Sequence, residues 1–273
     1  MKFAPELARR GQIHRRNAAE KTPHGETWGV NTGGYAQQLF FNEPLVSHRS
    51  ERELVGVEQR FYDQLRHLLE IKAATGQPTM MLDFGGMFGL SLARLAAQPE
   101  LHAQLETGKL ALVITNLSLN VDEALKSQKK RPDQLGQKEI DLIREQRPWL
   151  HYVQGDAAAI RRQTITLPDG STLPLAGNVD LIHEWFALAH GVKNDTDIPR
   201  LGKLLSPYGS LWLSSSTNME PSNRYGEVTH ADRVAADALG RANLAELGLT
   251  ELDLQGRKSP YHIFVQPGTP PII

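Results

Sequence analysis

The stretch from Pro78 to Ala97 restricts the fold more than any other part of this chain. Thr79 to Leu82 is a short apolar run, the mark of a strand buried on both faces. Gly85, Gly86 and Gly89 follow directly, and Leu90, Leu92, Leu95 and Ala96 then return at helical spacing. A strand, a glycine turn and a helix in that order open a nucleotide-binding α/β unit. Glycine is needed there because the backbone turns sharply and a ligand lies where a Cβ would otherwise stand. The helix starting near Gly89 aims its unpaired N–H groups at an anionic group on that ligand.

Two ligand templates compete for this turn. A dinucleotide fingerprint ending at Gly89 requires glycine at position 84, where Phe84 stands. An acid-x-Gly-x-Gly-x-Gly loop is matched by Asp83, Gly85 and Gly89 and departs at Met87. Asp83 separates the two, because a carboxylate closing the first strand suits a cationic ligand and repels a pyrophosphate. On these residues the chain resembles the class I S-adenosylmethionine-dependent methyltransferases. The resemblance spans residues 78–266 and implies that Asp83, Gly85, Gly86 and Gly89 surround the methionine end of S-adenosyl-L-methionine.

Further along, Lys109 to Thr115 is a second buried strand that ends in Asn116 and Leu117. The family usually has an acid here, bonding both ribose hydroxyls. Asn116 accepts one hydroxyl through its amide oxygen and offers N–H donors to another acceptor, or serves as a turn residue. The missing acid also counts against a nicotinamide dehydrogenase. Trp149 to Gln154 is a third strand, closed by Gly155, Asp156 and Ala157. In the family an Asp at this point accepts from the adenine amino group, and the next backbone N–H, here that of Ala157, reaches a ring nitrogen.

A fourth strand, Val179 to Ile182, runs into His183, Glu184, Trp185 and, after a few residues, His190. Ligands of α/β sheets gather at the carboxyl ends of strands, so His183 and Glu184 are the polar side chains best placed to take a proton from an acceptor. Many methyltransferases instead work by alignment of the reacting atoms and have no essential base. Trp185 and His190 are candidate substrate contacts, with capping or packing as the other reading of His190. The run Leu204-Leu205-Ser206-Pro207-Tyr208-Gly209 resembles the family's Leu-x-Pro-Gly-Gly turn, with Leu211 to Ser214 as the fifth strand. Glu251 to Leu254 and Tyr261 to Val265 form a closing hairpin, the source of an antiparallel strand. Between the third and fourth strands, Thr164 to Leu167 and Thr172 to Leu175 flank Asp169-Gly170, a hairpin signal.

The start of the chain differs in kind. Residues 1–27 are basic and polar, read as a solvated arm. Residues 28–47 join aromatics to glycines, which makes Trp28 and Tyr35 candidate pocket residues. From Ser50 to Lys72, Leu54, Val57, Phe61, Leu65, Leu68 and Leu69 recur at three- and four-residue steps, predicting a helix. The resulting division is an arm and helical cap over 1–77 and a cofactor-binding domain over 78–273.

Composition narrows the function. Lys+Arg 30 against Asp+Glu 31 leaves a net charge of −1, which argues against nucleic acid as a partner. There is no cysteine, so disulfides, thiolate metal sites and cysteine nucleophiles are excluded together. No apolar run is long enough to span a bilayer, and the first residues lack the apolar core of a secretory signal. No Gly-x-Ser-x-Gly elbow or His-Glu-x-x-His run is present, and no acid spacing favours a metal.

The sequence therefore predicts an α/β protein with a seven-stranded, mostly parallel, Rossmann-like sheet, an antiparallel C-terminal strand and an N-terminal helical lobe. Its expected role is cytoplasmic methyl transfer to oxygen, nitrogen or carbon of a small molecule, with a homodimer left open. A non-catalytic binding module and a nicotinamide-dependent reductase are the alternatives.

Overall fold

The computed structural model describes residues 49–86, 89–116, 137–184, 194–214, 230–252 and 261–270. Helix α1 (Arg49–Thr75) leads into strand β1 (Thr79–Phe84). The chain continues through α2 (Leu90–Ala96), α3 (Pro99–Glu106), β2 (Leu110–Asn116), α4 (Gln137–Gln146) and β3 (Leu150–Gln154). A hairpin of β4 (Thr164–Thr166) and β5 (Thr172–Pro174) precedes β6 (Val179–Glu184), α5 (Asn194–Gly202) and β7 (Leu205–Ser214). The last elements are α6 (His230–Glu246), β8 (Thr250–Glu251) and β9 (Tyr261–Val265).

Seven strands form one sheet in the order β3-β2-β1-β6-β7-β9-β8, and the hairpin forms a two-stranded sheet of its own. The first five strands of that order run parallel, while β9 pairs antiparallel with β7 and β8. Every residue of β1 and of β6 is buried, as strands covered by helices on both faces require. Strand alternation sorts their side chains into two cores. Met81, Leu181 and Trp212 face α1, α2, α3 and α4, together with Phe61, Leu65 and Leu68. Met80, Leu82, Ile182 and Leu211 face the other way, with Ile198 and Leu201 of α5 and Leu244 of α6. The predicted N-terminal helix is thus packed directly on the sheet, with Phe61, Leu65 and Leu68 fully buried in the same core as the strands.

Within that apolar frame lies a buried ionic network. Lys72 Nζ is 2.8 Å from Asp180 Oδ2, and both side chains are almost wholly buried. Lys72 also donates to the Pro78 carbonyl, the Met80 N–H donates to the same carboxylate, and the Ser206 hydroxyl donates to Asp180 Oδ1. These groups fasten the end of α1 to the beginnings of β1, β6 and β7, at the amino edge of the sheet.

One stretch departs from its sequence reading. Ser206 to Gly209, part of the run that resembles a Leu-x-Pro-Gly-Gly turn ahead of the fifth strand, lies inside β7. Val179 pairs with Leu205 but Leu181 pairs with Ser210, so the intervening residues bulge out of register. The bulge is held by Asp180 through Ser206 and by Gln266 and Thr269, which both donate to the Gly209 carbonyl. A Cβ on Gly209 would press on the Val179 carbonyl, which accounts for glycine there.

Candidate functional site

Parallel strands on either side of a change in winding direction leave a crevice at their carboxyl ends. Here the chain moves from β1 outward to β2 and β3, then returns to place β6 on the other flank of β1. The switch falls between β1 and β6, and the register there sets Asp83 beside His183 and Phe84 beside Glu184.

Asp83 and His183 are drawn directly together. His183 Nδ1 lies 2.9 Å from Asp83 Oδ1, and both side chains are almost fully buried. Phe61 of α1 meets the imidazole edge-to-face at 6.0 Å and Trp212 at 5.1 Å. Trp212 is itself the registered neighbour of His183 on β7. Carboxylate, imidazole and indole therefore occupy one row across β1, β6 and β7, on the face that α1 covers. The Trp212 N–H is held by Ser210 Oγ at 2.9 Å and by Gln64 Oε1 at 3.2 Å, which fixes the far wall of that row.

Glu184 is also buried, but alternation puts it on the opposite face, with Ile182 and the α5 and α6 core. The two predicted proton acceptors do not share a side of the sheet. His183 stands with Asp83, and Glu184 stands with Phe84.

The glycine turn is built by close packing within the chain. Gly85 has φ 74°, and its N–H donates to Thr115 Oγ1 of β2 at 2.9 Å, which ties the turn to the neighbouring strand. A Cβ on Gly86 would overlap the Asp83 carboxylate, so glycine there lets Asp83 fold back beneath the turn. Gly89 caps α2 at φ 79°, and a Cβ there would overlap Ile114 and approach the Tyr152 hydroxyl. Met87 lies outside the described residues.

At the remaining strand ends, Asn116 closes β2 opposite Gln154 of β3. Asp156 Oδ1 accepts the N–H groups of Ala158 and Ala159 at 3.1 and 3.0 Å, which caps the turn after β3, and Ala157 is fully buried beneath it. Leu117, Trp185 and His190 lie outside the described residues, as do Trp28 and Tyr35. Thr115, Phe61 and Trp212 join the site without having been singled out. Phe61 and Trp212 read in the sequence as ordinary core aromatics, and nothing local marks the hydroxyl of Thr115 as the anchor of a turn thirty residues earlier.

Helix α5 returns from this same edge, and its first turn holds a carboxyl with no strong partner. Asp195 is 3% exposed and neither of its oxygens has a well-formed hydrogen bond. Burial pushes its pKa above the ordinary 3.8, and the neighbouring Asp197 charge adds to that, against the pull of the Thr196 N–H and the more distant Arg200. A carboxyl raised in the folded state contributes stability that is complete below about pH 3.8 and is lost as pH rises through the raised value. Asp195→Asn is expected to remove that loss. The variant's melting temperature relative to wild type should climb between about pH 4 and pH 7, and a flat difference across thermal melts would count against it.

Strand order and polarity together are those of the class I methyltransferase fold: three parallel strands wound one way, two the other, and an antiparallel strand inserted near the far edge. No family model matches the chain, and no curated protein matches it. Among solved structures, the chain is similar to a Galdieria sulphuraria protein assigned as a sarcosine dimethylglycine methyltransferase, at 14% identity, 83% of this chain, 73% of that chain and TM-score 0.41. It is similar to the [4+2]-cyclase SpnF at 13% identity, 89% and 72% coverage and TM-score 0.41. A TehB-like methyltransferase from Corynebacterium glutamicum matches at 14% identity, with 80% of this chain, 100% of that chain and TM-score 0.34. These names describe those proteins; the reaction and ligand of this chain rest on its own residues.

Proposed function

We propose that this chain uses S-adenosyl-L-methionine to methylate a nucleophilic oxygen, nitrogen or carbon atom of a small molecule. The observation that carries the reading is the Asp83–glycine turn at the switch point between β1 and β6. The chemistry of the strand ends supports it. Asp83, Asp156 and Glu184 stand at the carboxyl edge, and no Lys or Arg stands among the last residues of β1, β2, β3 and β6. Such an edge suits a ligand bearing a sulfonium and an ammonium group and disfavours a pyrophosphate. In this reading Asp83, Gly85, Gly86 and Gly89 hold the methionine end, Asn116 and Leu117 the ribose, and Asp156 with Ala157 the adenine. The bound cofactor supplies an electrophilic methyl group, and the chain's task is to align an acceptor with it and keep water out. Trp28, Tyr35, Trp185 and His190 are the proposed acceptor contacts, and a cytoplasmic setting with a small-molecule substrate goes with the reading.

A second reading, a binding module without turnover, draws on one observation. The room left by the missing Cβ atoms at Gly86 and Gly89 is taken by Asp83 and Ile114 of the chain itself. Calorimetric titration separates the classes: S-adenosylhomocysteine should bind and NADPH should not. Binding of NADPH alone, or of neither, would overturn the methyltransferase assignment. Turnover with a panel of acceptors then distinguishes an enzyme from a binding module.

A further inference from the structure

We propose that Asn194 and Asp195, in the first turn of α5, hold the ammonium group of a cationic acceptor. This rests on the methyltransferase reading and narrows its substrate class to amines; the ammonium is the handle by which the acceptor is held. Among the described residues, Asn194 Oδ1 and both carboxylate oxygens of Asp195 are closed to water and lack a hydrogen-bond donor. The two residues are consecutive, and only 1% and 3% exposed. Acceptors buried in this state are costly, because each has given up water without a replacement. The side-chain donors close by are engaged elsewhere. Arg200 Nη1 donates to Asp197 Oδ1 at 3.0 Å, and Asn243 of α6 donates to the Asp195 backbone carbonyl at 3.1 Å. Gly240 of α6 packs so close to the Asn194 carbonyl that a Cβ would overlap it. Helix α6 thus grips the backbone of this turn and leaves its side-chain oxygens without donors.

Three acceptor oxygens and one negative charge suit an alkylammonium, which brings N–H donors and a positive charge together. The local charge agrees: Asp195, Asp197 and Glu184 lie on α5 or on the strand face it covers, and Arg200 is committed to Asp197. A metal ion is the other cation that oxygens hold, but it needs several ligands around one point. Among the described residues no three Asp, Glu or His side chains converge in that way, which favours the ammonium. Position agrees as well. Helix α5 starts at the carboxyl edge, and the chain between Glu184 and Asn194 carries Trp185 and His190, the acceptor contacts proposed above. Burial pushes the Asp195 carboxyl up in the free protein, and a cation beside it would pull it back down.

Acceptors offered in matched pairs test this, each pair differing only by the ammonium group: tyramine with 4-ethylphenol, and histamine with 4-ethylimidazole. Wild type should favour the ammonium member by about ten- to a hundredfold in kcat/KM, expressed through KM. Asp195→Asn keeps the shape of the side chain and removes its charge. It should erase the preference while S-adenosylhomocysteine binding is unchanged. The same variant should melt higher than wild type at pH 7, because it relieves an unpaired buried charge. A first-turn acid that only complemented the helix dipole would give the reverse, a lower melting temperature on replacement, and that result overturns the proposal. So does equal turnover of the two members, or no turnover of either ammonium compound by protein that binds S-adenosylhomocysteine. A saturable magnesium or calcium site lost in Asp195→Asn overturns it too. Failure of wild type to bind S-adenosylhomocysteine would instead sink the underlying methyltransferase reading.

Discussion

Replacing Asp180 by alanine is expected to cost about 3–5 kcal/mol of folding stability, the range found when one partner of a buried ion pair is removed. The effect is large because the carboxylate has several dependants. Without it, the Lys72 ammonium is left in a site that is almost closed to water, and the Met80 N–H and Ser206 hydroxyl lose an acceptor. Net stabilities of domains are of the order of 5–15 kcal/mol, so the variant should approach the limit of foldability. Urea unfolding at neutral pH checks this, with the midpoint falling and the slope unchanged. Combining Lys72→Met with Asp180→Asn should recover much of the loss, since no net charge is then buried. A midpoint for Asp180→Ala within error of wild type would show that the network holds nothing together.

Gly89→Ala is the second large effect, about 2–5 kcal/mol, and two causes combine in it. The backbone at φ 79° is a left-handed conformation that costs an L-residue roughly 1–2 kcal/mol. The added methyl also overlaps Ile114, and overpacking in a filled core costs about 1–3 kcal/mol. These causes separate in a double-mutant cycle. Ile114→Ala should relieve the overlap in the Gly89→Ala background and leave the backbone term, giving a coupling of about 1 kcal/mol or more. Strict additivity would mean that β2 does not oppose the methyl group. On the proposed methyltransferase reading, a shift at the start of α2 should also weaken S-adenosylhomocysteine binding, which calorimetric titration of the variant checks.

Much of the scaffold is legible in one dimension. Thr79–Phe84, Leu110–Asn116 and Val179–Glu184 are apolar runs because their strands are buried on both faces, and burial of that kind writes itself into local composition. The Asp169–Gly170 turn is equally plain: Gly170 has φ 83° and the Asp169 carboxylate receives the Ser171 N–H. Contacts set by register are another matter. Asp83 and His183 were each visible as polar residues at strand ends, yet that they are partners depends on strands a hundred residues apart pairing at one offset. The same register, together with the two-residue period of a strand, sends Glu184 to the other face. Lys72 and Asp180 show the limit from another side. An acid inside an apolar strand demands a partner, but nothing near it in sequence says that the partner is the last lysine of a preceding helix. The β7 bulge escaped because Pro207 and Gly209, read locally, signal a break.

The β4–β5 hairpin carries a practical consequence. It pairs with no strand of the main sheet, and its tip at Pro168, Asp169 and Gly170 is exposed. Pro168 packs near Gly108, just ahead of β2, and so the tip sits at the end of the molecule away from the crevice. A fluorophore or an affinity peptide spliced between Asp169 and Gly170 would leave the carboxyl edge of the sheet unobstructed, and would turn this ornament into a handle for immobilising the protein in a chosen orientation.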